Sequence, residues 1–401
     1  MRKTLIPILI LILLAMAAGF SQRRILWPTK AWEKSSPETQ NVDGALLSQL
    51  DARFRKGDFG YVDGLQVFRN GVLIFENSYP RDYTKINEGK DKSPNLYNYY
   101  NPDWHPFYKG TRLHTLQSVT KSVTSALIGI AIGREEIQGV NSKIVDIFKG
   151  HEIANLDDRK KRMTLADLLT MRSGLDWDEE IDYTDPRNTC TQMEASDDWF
   201  KFVINRPMAD DPGTVFKYNS GASLILSAII KEQTGIPVDE YAEKYLFKPL
   251  GISRYYWKRT PTGLLDTEGG LYLEPEDLAK FGWLYLNDGM WEGSRILPEG
   301  WVQATVKPHV ADVAPGDDNE NIAYGYQWWL LPYDDKAKEK EYVYACLGYG
   351  GQYLFVAAKY NLMAVFNGWN IYEKPPLPLK VFFDYVLKAV KDKNLKSARE
   401  P

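Results

Sequence analysis

Only two cysteines and four histidines occur among the 401 residues, and the charges nearly cancel, to a net −4. Each scarcity excludes something. His105, His114, His151 and His309 show no i, i+4 pairing and no ligand spacing around them, so no metal site is indicated. No Gly-x-Ser-x-Gly stretch is present, which removes the best marker of the usual Ser-His-Asp hydrolases. No long basic run appears, so nucleic acid is not an expected partner. Cys190 and Cys346 are too few and too far apart for a disulfide framework. An oxidising compartment would permit a bridge between them, but they read as inert, half-buried thiols. There is no internal repeat.

What is present suffices for a large core. Hydrophobic residues make up 44% of the chain, enough for one or two domains. At the N-terminus Arg2 and Lys3 precede an apolar stretch from Leu5 to about Ala18, closed by the small residues of A-M-A-A-G. That layout predicts a secretory signal with cleavage near Ala17 or Ala18. The stretch is short of the roughly 20 residues a spanning helix needs. Arg23 and Arg24 on its far side keep an uncleaved anchor, and hence a membrane tether, as the alternative. The expected location is therefore periplasmic, or anchored to the outer face of the inner membrane. Residues 1–20 read as signal peptide or anchor and 21–44 as linker.

Asn70-Gly71 lies between two strand-like runs, a strong hairpin signal because both turn residues must accept positive φ. Helical spacing marks 45–54, and helix-like segments dominate 115–267. Strand-like runs return at 342–347, 353–358 and 362–367, followed by an amphipathic helix around 379–391. Strands at both chain ends predict one sheet domain, from 45–114 and 268–395, with a helical domain at 115–267 inserted between them. The fold class expected is α+β, an antiparallel sheet flanked by helices. A cleft between the two parts is a natural ligand site.

Three short stretches carry chemistry. In T-L-Q-S-V-T-K-S, Ser118 and Lys121 stand three apart at the mouth of a greasy helix, on one face and about 5–6 Å apart at Cβ. The positive helix end disfavours a second positive charge, which predicts a neutral Lys121, a general base beside a nucleophile. A helix cap followed by a solvated lysine is the bland reading. In P-G-T-V-F-K-Y-N-S-G, Tyr218 and Ser220 occupy a polar turn before a second buried helix. In L-G-Y-G-G-Q-Y-L-F-V, three glycines separate two strand-like runs, where a backbone can approach a ligand closely or simply bend. The acidic stretch at 176–185 lacks the spacing of a calcium loop and reads as a solvated loop, with a cationic substrate end as its alternative partner.

In this order and spacing the three stretches resemble the serine β-lactamase and penicillin-binding-protein superfamily. The resemblance is to its broad β-lactamase-related group, which includes esterases and 6-aminohexanoate-oligomer hydrolases. Supporting text includes T-L-A-D-L-L-T-M-R-S-G-L at 164–175, L-F-K-P-L-G-I at 246–252 and G-G-L-Y-L-E-P-E-D-L-A-K-F-G at 269–282. The resemblance spans roughly residues 60–390. It implies Ser118 as acylated nucleophile, Lys121 as its base and Tyr218 as proton shuttle to the leaving group. Gly350 and Gly351 would lie on the strand bordering the site, and the N–H groups of Ser118 and Gln352 would form the oxyanion hole. No cofactor is implied, and the expected substrate is a small ester or amide. Two departures stand out. Tyr349 occupies a position often held by Lys or His, and Ser220 replaces the Asn of β-lactamases, which would leave extra room near the acyl group. A D,D-peptidase or β-lactamase is the alternative within enzymes. A catalytically silent envelope protein that binds peptidoglycan or a partner is the alternative outside them.

Overall fold

Asn70 and Gly71 take φ of 55° and 83°, and this turn joins β1 (Val62–Arg69) to β2 (Val72–Ser78) as an antiparallel hairpin. The computed structural model describes residues 25–91, 98–101, 111–314, 321–334, 336–372 and 375–391. The expected signal segment lies outside them. Among the described residues no helix is long and apolar enough to cross a membrane.

Three short strands, β3 (His114–Thr115), β4 (Tyr256–Trp257) and β5 (Leu271–Leu273), form a small sheet in the order β3-β5-β4. A two-residue-a-side hairpin, β6 (Met290–Trp291) and β7 (Ser294–Arg295), follows. Then come β8 (Ala323–Tyr324), β9 (Trp329–Pro332), β10 (Tyr342–Gly348), β11 (Gln352–Ala357) and β12 (Leu362–Gly368). With the first hairpin they build a seven-stranded sheet in the order β2-β1-β12-β11-β10-β9-β8. Both chain ends thus supply one antiparallel sheet. The segment expected as linker is ordered from residue 25 and pairs at the sheet edge, where Ser35 N donates to Leu73 O and Leu73 N to Glu33 O. Trp32, buried against Phe68 and Trp283, anchors it.

The sheet is buried on both faces, so β11 and β12 are buried at every position and, apart from Gln352, Tyr353 and Asn367, carry no polar side chain that would give an in–out alternation. In β12, Met363 and Val365 point to one core while Leu362, Ala364 and Phe366 point to the other. The second core is closed by α1 (Gly44–Lys56) and a helical turn at Phe382–Leu387, shorter than the helix expected there. The first core is the larger. It holds α2 (Val119–Gly133), α3 (Leu165–Leu169), α4 (Thr189–Glu194), α5 (Trp199–Ile204), α6 (Ser220–Thr234) and α7 (Pro275–Leu286). Every residue of α2 from Val119 to Ala131 is buried, which makes it the central helix and explains its continuous apolar run from Ala126 onward. Its first turn therefore sits deep, beside the edge of the sheet.

Candidate active site

Ser118 is the N-cap of α2, reached through a sharp turn in which Gln117 takes φ 47°, rare for a residue with a side chain. Its hydroxyl makes no cap bond. Three consecutive residues then tie the helix start to two other segments. Thr120 Oγ1 accepts from Leu271 N on β5, Lys121 Nζ donates to Glu268 O at 2.7 Å, and Ser122 Oγ donates to Gln327 O at 2.6 Å. Lys121 Nζ also donates to Ser118 Oγ at 2.9 Å. Among the described residues the Ser118 N–H has no protein acceptor, which leaves it able to donate to a ligand.

The expectation of a neutral Lys121 is overturned. The helix end is not its only electrostatic neighbour, because Glu268 Oε2 lies 3.5 Å from Nζ, with both side chains almost wholly buried. Burial pushes the lysine down, but Tyr218, Glu268 and Glu179 together push it further up, and the net shift is upward. Lys121 rests as an ammonium.

Tyr218 stands over this pair, its ring centroid 5.2 Å from Lys121 Nζ and stacked on Trp329 at 5.7 Å. Burial holds the phenol above its ordinary value, against the pull of the Lys121 charge, so it rests neutral. Ser220 is not part of that group. It is buried at the start of α6, where its Oγ donates to Glu179 Oε1 at 2.6 Å and its N–H to Glu179 Oε2 at 2.8 Å. Glu179 in turn corrects the reading of 176–185 as a solvated loop. Asp178 and Glu180 are exposed, but Glu179 is buried and also accepts from Trp177 Nε1 and Tyr183 Oη. Four donors around one carboxylate compensate its burial.

The third element differs from its expected geometry. Gly350 and Gly351 form the turn between β10 and β11 rather than lying on a strand, with φ of 86° and 96° that only glycine adopts readily. Gln352 opens β11 opposite Gly348, and its side chain is tied to Gly368 N and O across to β12. Tyr349 packs on Tyr99 and Tyr183, with centroids at 5.0 and 5.2 Å, and its hydroxyl accepts from Tyr372 N at 2.8 Å. Burial raises the phenol to about 12, so it too is neutral. Gly348 fixes the distance between this turn and the helix start. A Cβ there would fall 2.4 Å from Leu116 O and 3.2 Å from Gln117 Cβ. Gly348→Ala should therefore push β11 away from Ser118 and lower kcat/KM by about tenfold to a hundredfold, the range for ångström-scale misplacement. Steady-state kinetics on a chromogenic ester, beside a thermal melt showing the fold intact, check it. Unchanged kinetics would mean that the turn does not set the site.

Cys190 and Cys346 are both fully buried and unbridged, and burial drives both thiols upward, which keeps them unreactive.

A family profile described as Beta-lactamase matches residues 67–368. The chain belongs to the beta-lactamase family. It is 24% identical over 233 residues to the 6-aminohexanoate-dimer hydrolase of Paenarthrobacter ureafaciens, a match covering 54% of this chain and 57% of that protein. The chain thus spans little more than half the length of that curated relative. Among solved structures, the octameric penicillin-binding protein homologue from Pyrococcus abyssi aligns with TM-score 0.61 and 16% identity over 88% of this chain and 79% of that one. A family VIII carboxylesterase aligns with TM-score 0.62 and 14% identity over 89% and 98%. These likenesses confirm the β-lactamase/transpeptidase-like fold.

Within this beta-lactamase-family site, five residues were not anticipated from sequence. Gln327, at φ 63°, cross-links three helices: its carbonyl accepts from Ser122, its Oε1 from Ser223, and its Nε2 donates to Leu168 O and Leu169 O. Behind Lys121, Glu268 meets Glu194 and Asp266, with carboxylate oxygens of all three within 4.8 Å of one another. Lys258 lies among them, 3.5 Å from Glu194 and 3.3 Å from Asp266, and supplies positive charge there. The only local signal for Glu268 was an acid directly before Gly269-Gly270.

Proposed function

We propose that this beta-lactamase-family chain is an exported serine hydrolase that forms and hydrolyses an acyl-enzyme at Ser118 on an ester or amide. The 2.9 Å hydrogen bond from Lys121 Nζ to Ser118 Oγ, at the mouth of a buried helix, carries the reading. It joins a hydroxyl to the nitrogen best placed to receive its proton, with Tyr218 beside both. In the proposed reaction Ser118 Oγ attacks the carbonyl carbon and Lys121 takes its proton. The N–H groups of Ser118 and Gln352 stabilise the oxyanion, a donor of this kind contributing about 3–4 kcal/mol. Tyr218 passes a proton to the leaving oxygen or nitrogen, and water then releases the acid. Export rests on the charged and apolar pattern of residues 1–18, read as a cleaved signal with a membrane tether as the alternative. The relatives named above support hydrolysis of amides and esters as the reaction class. Release of p-nitrophenol from short-chain esters, lost in Ser118→Ala, tests the reading. Full turnover by Ser118→Ala would refute it.

A further inference from the structure

An ammonium cannot accept the Ser118 proton, so resting Lys121 must first give one up. The structure shows one buried acceptor in reach of it. Glu268 Oε2 is 3.5 Å from Nζ, a length that catalytic hydrogen bonds in unliganded enzymes commonly show before they tighten. Glu268 Oε1 is buried without a hydrogen-bond partner, so the carboxylate is under-satisfied where it stands. We propose that Glu268 is a positioning residue that takes the proton displaced from Lys121, the buried pair sharing one proton and presenting Nζ to Ser118 as an amine. This rests on the acyl-enzyme reading above.

The step balances without an outside reagent. One proton moves from Nζ to Glu268 Oε2, and the pair stays neutral overall. The Ser118 proton passes to Nζ as the Oγ–carbon bond forms. When the carbon–leaving-group bond breaks, Nζ returns a proton to the leaving atom through the Tyr218 hydroxyl. Glu268 then gives its proton back to Nζ and restores the resting pair.

The Lys121–Glu268 pair borders a buried cluster of titratable groups. Glu194 on α4 and Asp266 on the segment before β5 bring carboxyl oxygens within 4.8 Å of those of Glu268. Burial drives Glu194 well upward, against the pull of Lys258, so it is a neutral carboxyl. As a carboxylate neither of its oxygens would have a hydrogen-bond partner, whereas as an acid it can donate to Glu268. Asp266 is raised to about 6 by burial and by Glu268. Tyr99, Tyr183 and Cys190 face the same space and are held neutral by burial, while Glu179 adds a carboxylate charge felt by Lys121. Lys258 is the opposing cation.

The test is the pH dependence of fluorophosphonate labelling at Ser118, read by intact mass, for wild type, Glu268→Gln and Asp266→Asn. In wild type the acid limb reports loading of a second proton onto the Lys121–Glu268 pair. Glu268→Gln cannot take that proton, so its limb should report Lys121 alone. It should move to higher pH by at least about one unit, with roughly tenfold slower labelling on the acid side that recovers as pH rises. A Glu268→Gln limb superimposable on wild type, or moved to lower pH, would overturn the proposal, because a Glu268 that only raises Lys121 by its charge lets the limb fall when that charge is removed. Should Glu268→Gln fail to fold, Asp266→Asn decides. Removing that neighbouring negative charge disfavours the second proton on the Lys121–Glu268 pair and should shift the limb to lower pH, and an unmoved limb overturns the proposal. A folded wild type that never labels defeats the acyl-enzyme reading instead, which keeps the two failures apart.

Discussion

Lys121→Ala lowers kcat on a good ester by about 10²-fold or more, the usual range for losing general-base assistance. The same change has a second, separable consequence. It leaves Glu268 buried without its cation, and breaking a buried pair in this way costs about 3–5 kcal/mol of stability. Lys121→Ala/Glu268→Gln should recover much of that stability, since the stranded carboxylate is gone, while turnover stays low. Lys121→Arg should not restore activity, because a guanidinium never surrenders its proton to Glu268 or to anything else at accessible pH. Thermal melts and ester kinetics on the four proteins check the account together. A Lys121→Ala protein with near-wild-type turnover and an unchanged melt would mean that this lysine is a bystander.

The second large effect concerns substrate choice. A cephalosporin, or a peptide ending in D-Ala-D-Ala, presents a carboxylate that needs a cation or strong donor beside the acylated serine. At the position where relatives often carry Lys or His, this chain has Tyr349. Its phenol is neutral and its oxygen already accepts from Tyr372 N. Losing a partner for a charged acceptor costs about 1.5–3 kcal/mol, roughly tenfold to more than a hundredfold in rate. An ester of a short acid has no such group to satisfy. Therefore kcat/KM for p-nitrophenyl esters should exceed that for a chromogenic cephalosporin by at least about a hundredfold. Ser220 contributes nothing to the difference, because Glu179 holds its hydroxyl. Equal rates on the two substrates, or efficient cephalosporin turnover alone, would instead favour the β-lactamase alternative.

Local pattern made much of this legible. Asn70-Gly71 announces its hairpin because the turn demands two positive φ values within two residues. Ser118 and Lys121 are legible for a similar reason, since a helical i, i+3 relation is short in sequence and in space. The charge state of Lys121 was not legible. It depends on Glu268, 147 residues further along, whose approach is set by the packing of β5 on the start of α2. Ser220 misled in the same way: its partner Glu179 lies 41 residues earlier, inside a stretch whose composition looks solvated. The two glycines after Tyr349 were seen, but not that both belong to the turn, because a strand bend and a hairpin turn share the same composition. Residues whose partners come from distant segments, such as Gln327 with its bonds to three helices, carry no periodic signal at all.

The central claim is that Ser118 is the atom acylated, and intact-mass spectrometry after exposure to a fluorophosphonate tests it most directly. One adduct on wild type, mapped to the peptide containing Ser118 and absent from a folded Ser118→Ala protein, is the expected result. An adduct of the same stoichiometry on Ser118→Ala would contradict it.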